Sequence, residues 1–136
     1  MATPVNPDRL GPAIAPYSQA MIAGSTVYLA GQVALDRSNQ VVAPGDVYEQ
    51  TRSALERIRI VLEDCGGSLT DIVSATVFLT DLGDFGRFNE AWASVLGGHR
   101  PARATVIAGL LLPGLVVEIQ AIAQLTRADA TTETVR

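Results

Sequence analysis

The most apolar stretch of the chain, residues 100–123, contains two opposite charges, and this combination limits the folds that the chain can adopt. The stretch is typical of two β-strands, predicted over residues 103–109 and 115–124. Arg103 lies in the first strand and Glu118 in the second. An ionised carboxylate in apolar surroundings is costly unless it is paired or hydrogen-bonded. The two charges therefore indicate either a structural ion pair or a functional site.

Alternation along the strands predicts that each has one plain apolar face and one mixed face, because successive side chains point to opposite sides of a sheet. We expect helices to cover the apolar faces and another subunit to cover the mixed faces, leaving polar groups in a cleft. Arg103, Thr105 and Glu118 are predicted to point into this cleft. The residues assigned to the helix-covered faces are Val73, Ala75, Val77 and Leu79 in a strand over residues 71–80, Ala104, Val106 and Ala108 in the next strand, and Leu115, Val117, Ile119 and Ala121 in the last.

Two amphipathic helices are predicted from apolar residues that recur at intervals of three and four. The first begins after Asp46, its N-cap, and ends at Gly66-Gly67. The second follows Asp81 or Asp84 and ends at Gly97-Gly98. The charged residues expected on the exposed side of the first helix are Glu49, Arg52, Glu56, Arg57, Arg59 and Glu63.

The order of the elements predicts an α+β domain in which two helices pack on one face of a sheet. An early hairpin is expected around Gly24-Ser25. Residues 1–136 are predicted to form a single domain. Residues 1–14 are expected to be an irregular arm, because prolines are frequent there, and residues 126–136 a polar tail.

Composition argues against several classes of function. The net charge is −4 and no basic stripe is present, so nucleic acid is not an expected partner. With one cysteine and one histidine, a Cys/His metal site is not expected. Neither a membrane span nor a cleaved leader is predicted, which makes the cytoplasm the expected location.

Five sequence blocks follow one another along the chain, namely APYSQAM (15–21), LAGQVALD (29–36), VFLTDLGDFGRFNEAW (77–92), RPARATV (100–106) and LPGLVVEIQAIA (112–123). Together they resemble the Rid/YjgF family, the reactive intermediate deaminases, over Pro12 to Ala123. The spacing between PAR and the later VEI is their most specific element. The resemblance implies a chorismate-mutase-like fold with a mixed sheet, assembled as a homotrimer with the sheets facing inward and clefts between subunits.

The resemblance also implies a chemistry, namely the hydrolysis of enamines and imines such as 2-aminoacrylate to a 2-keto acid and ammonia. An enzyme of the 2-iminobutanoate/2-iminopropanoate deaminase type needs no cofactor and no metal, and its partner is a small imino or enamino acid. By resemblance, Arg103 receives the substrate carboxylate, and Glu118 positions the attacking water and relays a proton. Tyr17 lines the cleft, and the backbone of Gly31 approaches the substrate.

Departures from the family pattern leave the substrate open. Ala30 stands where many members have serine, and Thr105 stands where the best-known subgroup often has cysteine. Thr105 and Asn89 are kept as candidate substrate-binding residues, with a structural role also expected for Asn89. The alternatives are a pathway-specific deaminase of the aminomuconate or aminoacrylate type, a biosynthetic catalyst of imine cyclisation or tautomerisation, and a non-catalytic ligand-binding or regulatory protein.

Overall fold

A computed structural model describes residues 1–126 of the chain, so the predicted tail from residue 127 onward lies outside the described residues. The predicted α+β arrangement, two helices packed against a mixed sheet, is confirmed. No helix within the described range is long and apolar enough to cross a lipid bilayer. The helices are α1 (Val47–Asp64) and α2 (Phe85–Leu96), and the strands are β1 (Ala2–Val5), β2 (Ala20–Ala23), β3 (Thr26–Leu29), β4 (Gln32–Val33), β5 (Ile72–Leu79), β6 (Ala102–Ile107) and β7 (Val117–Gln124).

The last strand, β7, occupies the middle of the sheet. The strand order is β1-β2-β3-β7-β5-β6, and the short β4 also pairs with β7. All pairs are antiparallel except β5 and β6, which are parallel and are connected through α2. A parallel pair needs a crossover of this kind, whereas β2 and β3 need only the tight turn at Gly24, where φ is +62°. The hairpin predicted at Gly24-Ser25 is thereby confirmed.

Local capping explains where the two helices begin and end. The side chain of Asp46 accepts a hydrogen bond from the Glu49 backbone N–H at 3.1 Å, as predicted for the N-cap of α1. That helix ends before Gly66, whose φ of +80° favours glycine. Asp81 caps a short 3₁₀ turn, and α2 begins directly after it at Phe85.

Both helices share one hydrophobic core with the sheet. Its fully buried members include Ile58 of α1, Phe88 of α2, and Val77 and Ile119 of the two central strands. The apolar faces predicted for β7 and for most of β5 are those that the helices cover. The opposite face of the sheet is uncovered in a single chain, and it carries the exposed apolar side chains of Met21, Tyr28 and Val106.

The prediction of an irregular arm over residues 1–14 is wrong for part of that segment. Residues 2–5 form the edge strand β1, which pairs with β2, and residues 8–10 form a 3₁₀ turn. Pro4 lies inside the strand, opposite Met21. An edge strand tolerates proline because one side of its backbone has no partner strand to receive an N–H.

The prediction for Val73 is also wrong. Val73 was assigned to the buried face of its strand, but it is 50% exposed, and Ile72 is buried instead. The pairing of β5 with β7 is irregular between Ile72 and Ser74, so one extra residue lies on β5 there. Such a bulge changes which face the side chains before it occupy, and strand periodicity alone does not reveal it.

Candidate active site

Glu118 lies near the start of β7, on the face of the sheet that the helices leave uncovered. It pairs with Phe78 of β5 on one side and with Val33 of β4 on the other. Its carboxylate has no hydrogen-bond or ion-pair partner among residues 1–126. Burial raises the pKa of Glu118 above its ordinary value. The site therefore holds a half-buried carboxyl group that is free to meet a ligand or a water molecule.

The absence of a side chain at Gly31 makes room for this carboxylate. A Cβ atom at Gly31 would lie 2.1 Å from Oε2 of Glu118, far inside van der Waals contact. Gly31 belongs to the short connection between β3 and β4, and its neighbour Ala30 donates its backbone N–H to the Gln19 carbonyl at 2.8 Å. The structure therefore brings Gly31 and Glu118 together, as both had been predicted to lie at the site.

A cavity of about 250 Å³, which we call the glutamate cavity, opens beside Glu118. Among the described residues that line it, Tyr17 and Glu118 are the only ionisable ones, and Tyr17 is 44% exposed. The remaining walls are apolar or lack a side chain. The lining residues are Ile14, Ala15, Tyr17, Ala30, Gly31, Val33, Leu111, Leu112, Leu115 and Glu118.

One wall of the glutamate cavity, formed by Leu111, Leu112 and Leu115, is held in place by a buried glutamine that sequence analysis missed. Gln50 of α1 donates to the Gly114 carbonyl at 2.8 Å and accepts from the Val116 backbone N–H at 2.9 Å. Its amide also donates to two carbonyls in the segment before α1. We call the three leucines the leucine wall.

A second buried network supports the other side of the cavity and corrects the prediction for Arg57. Arg57 was expected on the exposed side of α1, but it is only 7% exposed and has no acidic partner within 4.0 Å among the described residues. It donates to Gln32 Oε1 at 3.0 Å, and Gln32 donates to Gln19 Oε1 at 2.9 Å. Burial lowers the pKa of Arg57, and the neighbouring Tyr17 partly offsets this shift.

A sequence signal for Arg57 existed. Position 57 comes three residues after Ala54 and four before Val61, and both of these are buried. A charged residue within the apolar stripe of a helix is predicted to be buried and hydrogen-bonded. The network connects α1 to the two segments that carry Tyr17 and Gly31.

Arg103 lies on β6 in a different part of the surface. Its guanidinium donates to Asn89 Oδ1 at 2.8 Å and stacks near the aromatic rings of α2, with Cζ 5.0 Å from the ring centre of Phe88 and 5.1 Å from that of Trp92. Burial lowers the pKa of Arg103. No carboxylate lies within 4.0 Å of it in the described part of the chain. The ion pair with Glu118, one of the two alternatives from the sequence, is therefore not formed within a single chain.

Arg103 lines an open groove, which we call the arginine groove. Asn89 holds the guanidinium from α2, so it has at least the structural role that was expected of it. Thr105 lies two residues further along β6 and lines neither the arginine groove nor the glutamate cavity. The lining residues of the groove are Asn89, Trp92, Ala93, Gly97, His99, Arg100, Pro101 and Arg103.

The predicted convergence of Arg103, Thr105 and Glu118 on one face is wrong for a single chain. Arg103 pairs with Ala75, which lies under the helices, whereas Glu118 pairs with Phe78 on the uncovered side. Paired residues in neighbouring strands share a face, so the two charges lie on opposite faces of the sheet.

The reason is that the side chains of β6 lie on the opposite faces of the sheet from those predicted. Ala104 and Val106, which were assigned to the helix-covered face, are exposed, and Arg103 instead covers the aromatic rings of α2. Apolarity alone misassigned the face, because a guanidinium stacked on aromatic rings can occupy a helix-facing position.

No group of three or more histidine, cysteine, aspartate and glutamate residues that could hold a metal ion occurs within residues 1–126. The chemically distinctive groups of the described chain are thus the carboxyl of Glu118 and the guanidinium of Arg103. The fold and these groups define a small α+β protein with a half-buried carboxyl group in one cavity and a guanidinium group in a separate groove.

Comparison with known proteins agrees with this class. The family model described as Endoribonuclease L-PSP matches residues 8–125. The RutC family protein PH0854 of Pyrococcus horikoshii is 42% identical over 110 residues, which cover 81% of this chain and 87% of that protein. The chain therefore belongs to the Endoribonuclease L-PSP family, and the Rid/YjgF relationship predicted from the sequence blocks is confirmed.

Solved structures show the same fold. RidA from the Antarctic bacterium Psychrobacter sp. PAMC 21119 has a TM-score of 0.84 and 36% identity, covering 90% of this chain and 99% of that one. TdcF of E. coli, solved with bound serine, has a TM-score of 0.83 and 33% identity, covering 91% and 99%. The fold prediction is thus supported by close structural relatives as well as by the element order.

Proposed function

We propose that the protein hydrolyses imines derived from 2-amino acids to 2-keto acids and ammonia, at a site that two copies of the chain build together. Glu118 of one copy supplies the acid–base group, and Arg103 of a second copy binds the substrate carboxylate. The observation that carries the proposal is the unpaired carboxyl of Glu118, with its raised pKa, in a cavity that Gly31 keeps open.

The reaction needs one group that moves protons. Water adds to the imine carbon, and Glu118 accepts a proton from that water as the new C–O bond forms. The same carboxyl delivers this proton to nitrogen, which gives a carbinolamine. It then takes the proton of the new hydroxyl group and passes it to nitrogen, so that the C–N bond breaks and ammonia leaves as the carbonyl forms. A carboxyl whose pKa is raised by burial is a stronger base and is better suited to accept the proton than an ordinary glutamate.

Arg103 is suited to the other end of the substrate. A guanidinium binds a carboxylate through two parallel hydrogen bonds, and Arg103 carries no acidic partner among the described residues that would compete. Asn89 and the rings of Phe88 and Trp92 hold the guanidinium in one orientation. Their role is to position Arg103.

A second copy is required because Arg103 and Glu118 lie on opposite faces of one sheet. The uncovered face gives a reason for assembly, since Met21, Tyr28 and Val106 leave apolar surface exposed on the same face of the sheet as Glu118. A homotrimer with these faces turned inward, as the family resemblance implies, would bury that surface and bring unlike edges of neighbouring copies together. Light scattering should give about three times the chain mass.

The direct test generates the imine in the cuvette with an amino-acid oxidase and follows its decay with and without the protein. We expect the parent to accelerate the decay and Glu118→Gln to lose roughly 10²-fold or more, because the amide cannot accept a proton. Parent rates that equal the uncatalysed decay would refute the proposal.

A mixing experiment tests whether the site is shared. Arg103→Ala and Glu118→Gln should each retain about a tenth of the parent activity or less when expressed alone. Co-expressed in equal amounts, they should regain about a quarter of the parent activity, because in a randomly mixed ring that fraction of sites joins an intact Glu118 to an intact Arg103. If mixed assemblies form but stay inactive, both residues must act within one copy and the shared site is wrong.

A non-catalytic ligand-binding protein is the second candidate, and the relative solved with bound serine favours it as much as it favours hydrolysis. The two candidates differ in what Glu118→Gln changes. A binding protein would bind 2-keto acids and show no hydrolysis in either form, whereas a hydrolase would lose turnover on substitution while keeping the ligand.

The family description and the names of some relatives contain the word endoribonuclease, but the charge of this chain does not favour RNA binding. Its net charge is −4, whereas proteins hold phosphate backbones with clustered lysine and arginine. The single histidine, His99, has its Nε2 2.8 Å from the Ile72 carbonyl, a structural contact. RNA cleavage is therefore not the function that we propose.

A further inference from the structure

We infer that the substrate of this protein carries a branched apolar side chain, of the kind that an imine derived from leucine, isoleucine or valine has. The inference rests on the proposed function and adds the chemical class of the substituent next to the imine carbon. It comes from the walls of the glutamate cavity beyond Glu118.

The space next to Glu118 offers a substituent mainly apolar contacts. Leu115 is buried beside the carboxyl, Val33 and Leu112 are partly buried, and Ile14 lines the side towards solvent. Apart from Tyr17 and Glu118, none of the described side chains that one copy contributes to this cavity can donate or accept a hydrogen bond. A hydroxyl group on the substrate side chain would thus lose hydrogen bonds to water and find few replacements in the cavity, which lowers the binding affinity.

Hydrogen bonds hold the leucine wall in place, and this makes the cavity selective for the size of the substituent. Leu112 and Leu115 flank Gly114, whose carbonyl accepts both from Gln50 and from the Gly45 backbone N–H. Gly114 has a φ of +89°, and a Cβ atom there would lie 3.0 Å from Pro44, so the turn is closely packed. A wall that cannot collapse onto a small substituent leaves an unfilled gap beside it.

The size of the cavity points the same way. The cavity within one chain has about 250 Å³, whereas 2-aminoacrylate or the imine of alanine brings only a single carbon beyond the reacting centre. Small substituents would leave the apolar wall facing water. An isobutyl or isopropyl group would displace that water and gain roughly 0.8 kcal/mol per buried methylene, or about fourfold in affinity for each.

Binding of 2-keto acids tests the inference without depending on turnover. Calorimetric titration of the assembled parent compares 4-methyl-2-oxopentanoate, pyruvate and hydroxypyruvate, which share the carboxylate and carbonyl and differ in the side chain. We expect the branched acid to bind about tenfold or more tighter than pyruvate, and hydroxypyruvate to gain nothing over pyruvate. Equal affinities, or a preference for hydroxypyruvate, would overturn the inference.

Turnover gives the second measurement. The ratio of kcat/KM for the leucine-derived imine to that for the alanine-derived imine should be about ten or more in the parent. Leu112→Ala should lower this ratio at least threefold or so, because it removes part of the leucine wall. Leu82→Ala is the matched control, since Leu82 is exposed and lines neither the cavity nor the groove, and it should leave the ratio unchanged.

The outcomes separate the inference from the proposed function. Hydrolysis of both imines at equal efficiency would refute the side-chain preference and leave the hydrolase intact. Tight binding of the branched keto acid without hydrolysis of any imine would refute the hydrolase and support the ligand class. A preference that Leu112→Ala does not alter would overturn the assignment of specificity to the leucine wall.

Discussion

Replacing Gly31 with alanine should disable the site without unfolding the protein. The new Cβ atom would lie 2.1 Å from Oε2, 2.9 Å from Cδ and 3.2 Å from Cγ of Glu118. Gly31 does not have a positive φ, so its backbone conformation accepts alanine. The clash therefore falls on the end of one flexible side chain, which has no hydrogen-bond partner among the described residues to lose.

The geometry sets the size of both effects. Ordinary contact between heavy atoms is about 3.5 Å, so the carboxylate must retreat by roughly 1 to 1.5 Å. A displacement of about 1 Å in a reacting group can cost about 10²-fold, and we expect kcat/KM for a carboxylated imine to fall by that factor. Turning a flexible terminal group should cost less than about 1 kcal/mol of unfolding free energy.

The assay pairs imine decay with thermal unfolding, measured at one protein concentration because assembly contributes to Tm. Gly86→Ala is the matched control, since a Cβ at Gly86 has no atom within 4 Å, and it should retain the parent kcat/KM. If Gly31→Ala hydrolyses the imine as fast as the parent, the position of the Glu118 carboxylate does not matter. If it fails to fold, the clash is not confined to that side chain.

Three further predictions concern charge and support around the site. Burial raises the pKa of Glu118 in the folded state above its value in the unfolded chain. Between these two pKa values, the folded state retains a proton that the unfolded state has lost. The unfolding free energy of the parent should therefore fall relative to that of Glu118→Gln as the pH rises through this interval, and parallel Tm curves from about pH 4 to 8 would contradict it. Arg103→Lys should lose almost as much activity as Arg103→Ala, because lysine lacks the planar fork. We expect kcat/KM to fall by about 10- to 100-fold for imines with a carboxylate and little for imines without one. A fully active lysine variant would show that charge alone suffices. Gln50→Leu should lower the unfolding free energy, measured by urea titration, by about 2–4 kcal/mol. The reason is that the Gly114 carbonyl and the Val116 N–H lose their hydrogen-bond partner. A loss below about 0.5 kcal/mol would mean that water replaces the amide.

Local sequence patterns predicted most of the secondary structure. The N-cap at Asp46 and the glycine at position 66 are short-range signals, because capping bonds join residues a few positions apart. The same holds for the turn at Gly24. Alternation along β7 also assigned its faces correctly, since a central strand that is apolar on one side must turn that side to the core.

The sequence also identified the main residues of the candidate site. Glu118 and Gly31 were identified from their blocks, and the structure brings them into contact around one cavity. Arg103 was identified in the same way. Its prominence came from a charge in an apolar stretch, which is a property of the chain that requires no coordinates.

Only the tertiary structure decided how these residues are arranged. The parallel pairing of β6 with β5 places Arg103 under the aromatic rings of α2 and away from Glu118, and that pairing joins segments distant in sequence. The burial of Arg57 likewise depends on Gln32 and Gln19, which its own helix does not contain. Periodicity reports that a strand or helix has two faces, but which face is covered, and by what, is set by contacts between remote elements, because the free energy of burial belongs to the pair of surfaces that meet.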